Sequence, residues 1–288
     1  MVNAIVFALI SYLGWGIGDV FGTRATRKIG GYSTTFWYVV FQLIIFSFFS
    51  FFFINLLGNL TLGIFILNLI LGVIGLIGLI TFYEGLRVGN ASLVGTISSS
   101  FAAITVVLSI IFLKERINII QTISIITIFL GIVISGLDFK ELRNKKLFAG
   151  KGVYLAIITA VLFGIYWTFI KIPVEEIGWY WPGIISMTTF PTILLFMRLR
   201  NLKLSNPTEK KSLIPLVLSS ILVGTGTFSF NFAISRGLTA IVAPIAGSYS
   251  TLFAILAYFV FKDPITKREI FGIIITLTGI VLLSFFSV

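Results

Sequence analysis

Residues 89–133 read GNASLVGTISSSFAAITVVLSIIFLKERINIIQTISIITIFLGIV, and residues 237–281 read GLTAIVAPIAGSYSTLFAILAYFVFKDPITKREIFGIIITLTGIV. Each opens on a glycine and runs through a long apolar stretch studded with hydroxyls. Each turns at a lysine followed by an acid (Lys114-Glu115 and Lys262-Asp263) and enters a second apolar run that closes on Gly-Ile-Val. An uninterrupted apolar run of about 20 residues has the length of a helix crossing a hydrocarbon core of about 30 Å. The two stretches stand 148 residues apart, and the same offset carries Gly16-Ile17 onto Gly164-Ile165, Gly30 and Tyr32 onto Gly178 and Tyr180, and Gly78 and Phe82 onto Gly226 and Phe230. Apolar identities recur by chance in so greasy a chain. Glycines and a lysine that hold one register from the first run to the last do not.

Working outward, apolar runs fall at 3–22, 33–57, 62–86, 92–113 and 117–137, then at 152–172, 180–197, 213–234, 239–261 and 270–286. None shows the strict alternation of barrel strands, and lipid tolerates no open sheet edge, so the runs are expected to be helices. The chain has 288 residues, 58% hydrophobic and only 11% charged, with 30 Phe. Its mean hydropathy is +1.10. Such a surface needs lipid to cover it. The expected fold is an all-α membrane protein of ten transmembrane helices, built as two five-helix repeats. The first would span residues 1–138, the second 151–288, with a cytoplasmic linker at 139–150. Five crossings are an odd number, so the second copy enters the membrane upside down, the inverted-repeat plan of many carriers. The N-terminus shows no basic n-region or small-residue cleavage site, so the first run is read as a retained span.

The net charge of +11 is distributed along the chain as a topology signal. Of the 21 Lys and Arg, 17 fall in the loops joining helices 1–2, 3–4, 5–6, 7–8 and 9–10, and 4 in the others. The positive-inside rule then puts both termini outside the cytoplasm. A basic patch on a soluble face, which nucleic-acid binding needs, is not what these loops make. With no Cys and no His, disulfides, thiolate nucleophiles, the usual zinc sites and histidine-ligated haem are excluded. No Walker loop, HExxH or nucleophile–base pair is present, so neither an enzyme nor a bound metal or cofactor is expected.

Two of the ten acids, Asp19 and Glu84, lie within spans, where an ionisable group is costly and a functional candidate. With helix 1 ending near Gly22, both sit about one turn from the cytoplasmic ends of their helices. They either pair with neighbouring cations (Asp19 with Arg24 or Arg27, Glu84 with Arg87) or serve substrate or proton coupling. Their repeat partners are Trp167 and Phe232, so such a role is not duplicated. Tyr12, Trp15 and Asp19 share a helix face, as do Trp167 and Lys171. Gly14, Gly16, Gly18 and Gly22 suit close helix packing beside them. Helix 4 carries Thr96 and Ser98-Ser99-Ser100. Helix 9 carries Pro244, Gly247, Ser248, Tyr249, Ser250 and Thr251 at corresponding heights, and helix 8 adds Thr225, Thr227 and Asn231. Hydroxyl clusters of this kind serve as interhelical glue or surround a midplane site. The expected substrate set is Tyr12, Trp15, Ser99, Ser100, Trp167, Asn231, Ser248 and Tyr249, with Asp19 and Glu84 as the coupling candidates.

The paired Lys-acid turns, the closing Gly-Ile-Val of each unit and the Gly-Trp-Gly at 14–16 together resemble the EamA-type members of the drug/metabolite transporter superfamily, over essentially the whole chain. The family's Gly-Glu step before the last helix is replaced here by Lys-Glu-Arg and Lys-Asp-Pro. The resemblance implies a ten-helix carrier with a central cavity lined mainly by helices 1, 3, 4, 6, 8 and 9. It implies small-molecule substrates such as amino acids, drugs, sugars or sugar phosphates, moved by proton coupling or exchange. Small four-helix relatives carry an essential Glu in their first helix. Asp19 is also acidic and in helix 1, but nearer the helix end. The favoured expectation is export of amino acids or related compounds by alternating access. Uptake or exchange of sugars or phosphorylated compounds is the second, for which Lys171, Arg87 and Arg236 near the cavity mouths would suit anions. A lipid-handling or assembly protein without transport is the third.

Overall fold

The computed structural model describes residues 1–89, 91–136, 150–208, 211–261 and 266–287. The linker at 139–149 and the Lys262-Asp263-Pro264 turn lie outside them. Among the described residues the chain is helical throughout: α1 (Val2–Ile29), α2 (Gly31–Ser47), a 3-10 segment (Ser50–Asn59), α3 (Leu62–Val88), α4 (Ala91–Ser99), α5 (Phe101–Phe112) and α6 (Ile119–Gly136). The second half follows with α7 (Lys151–Phe169), α8 (Lys171–Ile177), α9 (Trp181–Met187), α10 (Pro191–Leu199), α11 (Leu213–Arg236), α12 (Thr239–Gly247), α13 (Tyr249–Phe261) and α14 (Lys267–Phe285).

Among the described residues eight helical spans are long and apolar enough to cross a membrane, or nine if the bent pair at 31–59 counts as one. The expected second crossing, 33–57, is not straight: its two parts meet at 92°. No Gly or Pro stands at the corner, but side chains from the opposite unit hold it. The Tyr180 hydroxyl donates to the Phe46 carbonyl, and the Trp181 indole N–H donates to the Phe53 carbonyl at 2.8 Å. The Phe46 carbonyl also accepts from the Phe49 N–H at 3.0 Å, so the two side chains add bonds across the corner inside the protein. The expected fifth crossing, α6, is apolar but short. The first is longer than hydropathy suggested: α1 continues through Arg24, Arg27 and Lys28 to Ile29, because cations in the last turns complement the helix dipole instead of ending the helix.

The packing repeats itself. α1 lies along α11 and α3 lies along α7; α4 and α5 pack on α7 as α12 and α13 pack on α1; α5 meets α12 as α13 meets α4; α2 meets α11 as α9 meets α3; and α6 lies along α14. Each of these contacts has its counterpart when the elements of one half are exchanged for those 148 residues away. The tightest approaches obey the same exchange. A Cβ on Gly78 would lie 2.6 Å from the Phe163 ring, and one on Gly226 would lie 2.7 Å from the Trp15 ring. Between α6 and α14, a Cβ on Gly131 would meet the Thr276 backbone at 2.4 Å, and one on Gly279 would meet Ile128 at 2.8 Å. The closing Gly-Ile-Val of each unit is therefore a contact surface where two backbones touch. Gly30, after α1, and Gly178, after α8, are also equivalents. They are the described glycines with positive φ, +80° and +75°, a turn that L side chains resist.

Candidate functional site

Between the two halves lies a cavity of about 90 Å³. Its wall takes Trp15 and Asp19 from α1, Tyr38 and Gln42 from α2, Phe82 from α3, Phe101 from α5, Tyr166 and Trp167 from α7, Ser186 from α9, Thr227 from α11 and Tyr249 from α13. The second and seventh expected crossings, 33–57 and 180–197, thus contribute through α2 and α9 alongside those the sequence singled out. The volume is well short of the roughly 300–1,000 Å³ of ordinary small-molecule pockets.

The aromatic side chains converge because small residues let the helices close up. Trp15 sits beside Gly226 of α11. Its ring centroid is 4.9 Å from Trp167, 5.5 Å from Phe230, 5.8 Å from Tyr249 and 6.2 Å from Phe101. Of the expected substrate set, then, Trp15, Trp167 and Tyr249 share one cavity wall. Tyr12 is set apart, its hydroxyl 3.1 Å from the Thr251 hydroxyl. Ser100 and Ser248 occupy the breaks between α4 and α5 and between α12 and α13. The Ser248 hydroxyl donates to the Ile245 carbonyl at 2.7 Å. Ser99 is fully buried at the end of α4, and Asn231 is fully buried in α11. Both polar atoms of the Asn231 amide lack a hydrogen-bond partner among the described residues.

The two intramembrane acids differ. Glu84 is bound by Arg87, whose Nε donates to Oε2 at 2.9 Å, and it also accepts from the Gly31 N–H at 3.3 Å at the start of α2. It is an ion pair and a helix cap. Asp19 makes neither of the ion pairs weighed for it. With α1 running to Ile29, it lies nearly three turns inside the helix, not one. It is 5% exposed, accepts from the Tyr83 hydroxyl at 3.3 Å, and has no cation within ion-pair distance among the described residues. Tyr83 was missed as a partner. Its adjacency to Glu84 was the sole hint, and helix 3 gave no reason to aim it at helix 1.

Glu115, the acid of the first Lys-acid turn, was also missed as a contact residue. Its carboxylate accepts from the N–H groups of Thr239 and Ala240, both at 2.8 Å, which open α12 in the opposite unit. Lys171 closes the group, 3.2 Å from Glu115 Oε1 and donating to the Gly237 carbonyl at 2.9 Å. An anion at a helix N-terminus satisfies donors that have no partner within the helix and opposes the helix dipole. The basic residues expected to attract anions are therefore committed elsewhere. Lys171 is held by Glu115, Arg87 by Glu84, and the Arg236 guanidinium lies 5.5 Å over the Phe232 ring; none of the three lines the cavity.

A helical membrane protein whose two like-packed halves enclose an aromatic cavity, with a buried carboxylate in its wall that has no cation beside it among the described residues, has the build of a small-molecule carrier. The chain matches the model of the EamA-like transporter family twice, over residues 2–137 and 150–285, and it belongs to that family. The two matches begin and end 148 residues apart. An uncharacterized protein of Methanocaldococcus jannaschii is 30% identical over 135 residues, covering 46% of this chain and 95% of that one. A solved crystal structure superposes with a TM-score of 0.78 at 13% identity, covering 99% of this chain and 97% of that chain; at this identity it speaks for the fold. The protein is a multi-pass membrane transporter of the drug/metabolite superfamily.

Proposed function

We propose that the protein is a secondary active transporter that moves small metabolites, amino acids or related compounds, outward by alternating access between two inverted five-helix units. The units are 1–138 and 151–288, joined through 139–150, making ten crossings with both termini outside the cytoplasm. The exchange-related packing, the twice-matched family model and a relative about one unit long all support this division. Inverted repeats place their substrate near the midplane between the units, the cavity lies between the units, and rocking of one unit against the other would expose it to each side in turn. Trp15, Trp167 and Tyr249 form the substrate wall. Tyr12, Ser99, Ser100, Ser248 and Asn231 lie around it.

One observation carries the mechanism: the Asp19 carboxylate is buried in the cavity wall with no cation beside it. A charge held there is costly, and binding a proton or a cationic group removes that cost. We assign proton coupling to Asp19 alone, since Glu84 is already satisfied by Arg87 and Gly31. In proteoliposomes, Asp19→Asn should abolish accumulation driven by a pH gradient while exchange persists at saturating substrate. Gradient-driven transport at the wild-type level would end the coupling assignment.

A further inference from the structure

The cavity lining constrains the charge of what it holds. Trp15 is tilted 42° to Trp167 and stands 81° to Tyr249 and 66° to Phe101. Rings set at such angles turn different faces and edges toward the cavity, while Phe230, stacked on Trp15 at 27°, is not part of its wall. Aromatic faces are electron-rich and attract a cation within about 6 Å of the ring centroid. Asp19 follows Trp15 by one helical turn and adds a carboxylate to the same wall. No Lys or Arg lines the cavity among the described residues, and the chain has no His. An entering phosphate or carboxylate would lose its water against electron-rich faces and a carboxylate, with no positive charge to receive it.

We propose that the cavity recognises the ammonium group of a small organic amine, seated among Trp15, Trp167 and Tyr249 and paired with Asp19. This rests on the transport reading and narrows its substrate class. An amino acid fits through its ammonium end alone, because its carboxylate finds no cation in the wall. An amine lacking that carboxylate is therefore the better ligand, and phosphorylated compounds are rejected. The volume of about 90 Å³ suits a compact headgroup.

The test uses four ligands sharing one branched apolar body: isopentylammonium, isopentanol, isovalerate and leucine. Binding to the purified full chain is read from the change in its tryptophan fluorescence, to which Trp15 and Trp167 contribute, and from thermal stabilisation. The amine should bind about tenfold more tightly than leucine or the alcohol, and isovalerate weakest of all. Asp19→Asn, which keeps the size of the side chain and an acceptor for Tyr83, should bring the amine down to the level of the alcohol. Trp167→Leu should weaken the amine more than the alcohol. The proposal is overturned if the amine does not bind, if the alcohol or isovalerate equals it, or if Asp19→Asn leaves the order unchanged. Counterflow in proteoliposomes separates this from the transport reading. Leucine exchange without preference for the amine keeps transport and overturns the amine assignment. Selective amine binding without counterflow keeps the assignment and removes transport.

Discussion

Replacing Glu115 by alanine would strip the start of α12 of the anion that caps it. The carboxylate accepts two backbone N–H bonds of 2.8 Å and faces Lys171 at 3.2 Å, and the residue is 7% exposed. Hydrogen bonds to a charged group contribute about 1.5–3 kcal/mol each, and breaking a buried ion pair by removing one partner costs about 3–5 kcal/mol. These terms overlap, because the same two oxygens make all three contacts. Lys171 also retains the Gly237 carbonyl and Glu175 at 3.6 Å, the latter largely exposed. The net expectation for Glu115→Ala is a loss of about 3–5 kcal/mol, read from reversible unfolding in mixed micelles. Lys171→Met in the same background should cost less than it does alone, because the cation it removes has already lost its main partner. The coupling between the two substitutions should be about 1–3 kcal/mol. A loss below about 1 kcal/mol for Glu115→Ala, or additive effects in the double variant, would refute the idea that this acid clasps the two halves together.

Three further expectations follow from the geometry. Gly131→Val should destabilise the fold by about 3 kcal/mol or more, because even a Cβ would lie 2.4 Å from the Thr276 backbone, whereas Gly58→Val, with open space around its Cβ, should cost little; equal effects in unfolding assays would remove the α6–α14 contact from the argument. Asn231→Leu removes a buried amide with no partner among the described residues, so unfolding stability should hold or rise by about 1 kcal/mol while transport falls; a clear loss of stability would show that the amide is bonded in the folded protein. A C-terminal fusion to a reporter that functions only outside the cytoplasm should be active, and activity only in a cytoplasmic reporter would overturn the reading of the loop charges.

The sequence disclosed periodic, apolar and repeated features because those leave marks at fixed spacing. The 148-residue register, read from a few glycines, matches the register of the paired family matches and of the reciprocal helix contacts. Trp15, Trp167 and Tyr249, picked out by helix-face spacing and the hydroxyl-rich stretch of the second half, share one cavity wall. What stayed hidden depends on distant partners. Hydropathy ends helix 1 at the first arginine, yet the backbone continues as helix to Ile29, and that changes Asp19 from a group near the surface into one nearly three turns inside. The corner at 47–50 is held by Tyr180 and Trp181, more than a hundred residues away, so no local signal marks it. The Lys-acid turn was visible as a motif while its work was not. Its acid reaches across to the other unit's helix start, and a contact between units leaves no spacing within either one. The same reasoning separates the two intramembrane acids. Glu84 has its cation three residues along its own helix, where sequence can see it. The isolation of Asp19 becomes visible only when every helix around it has been placed.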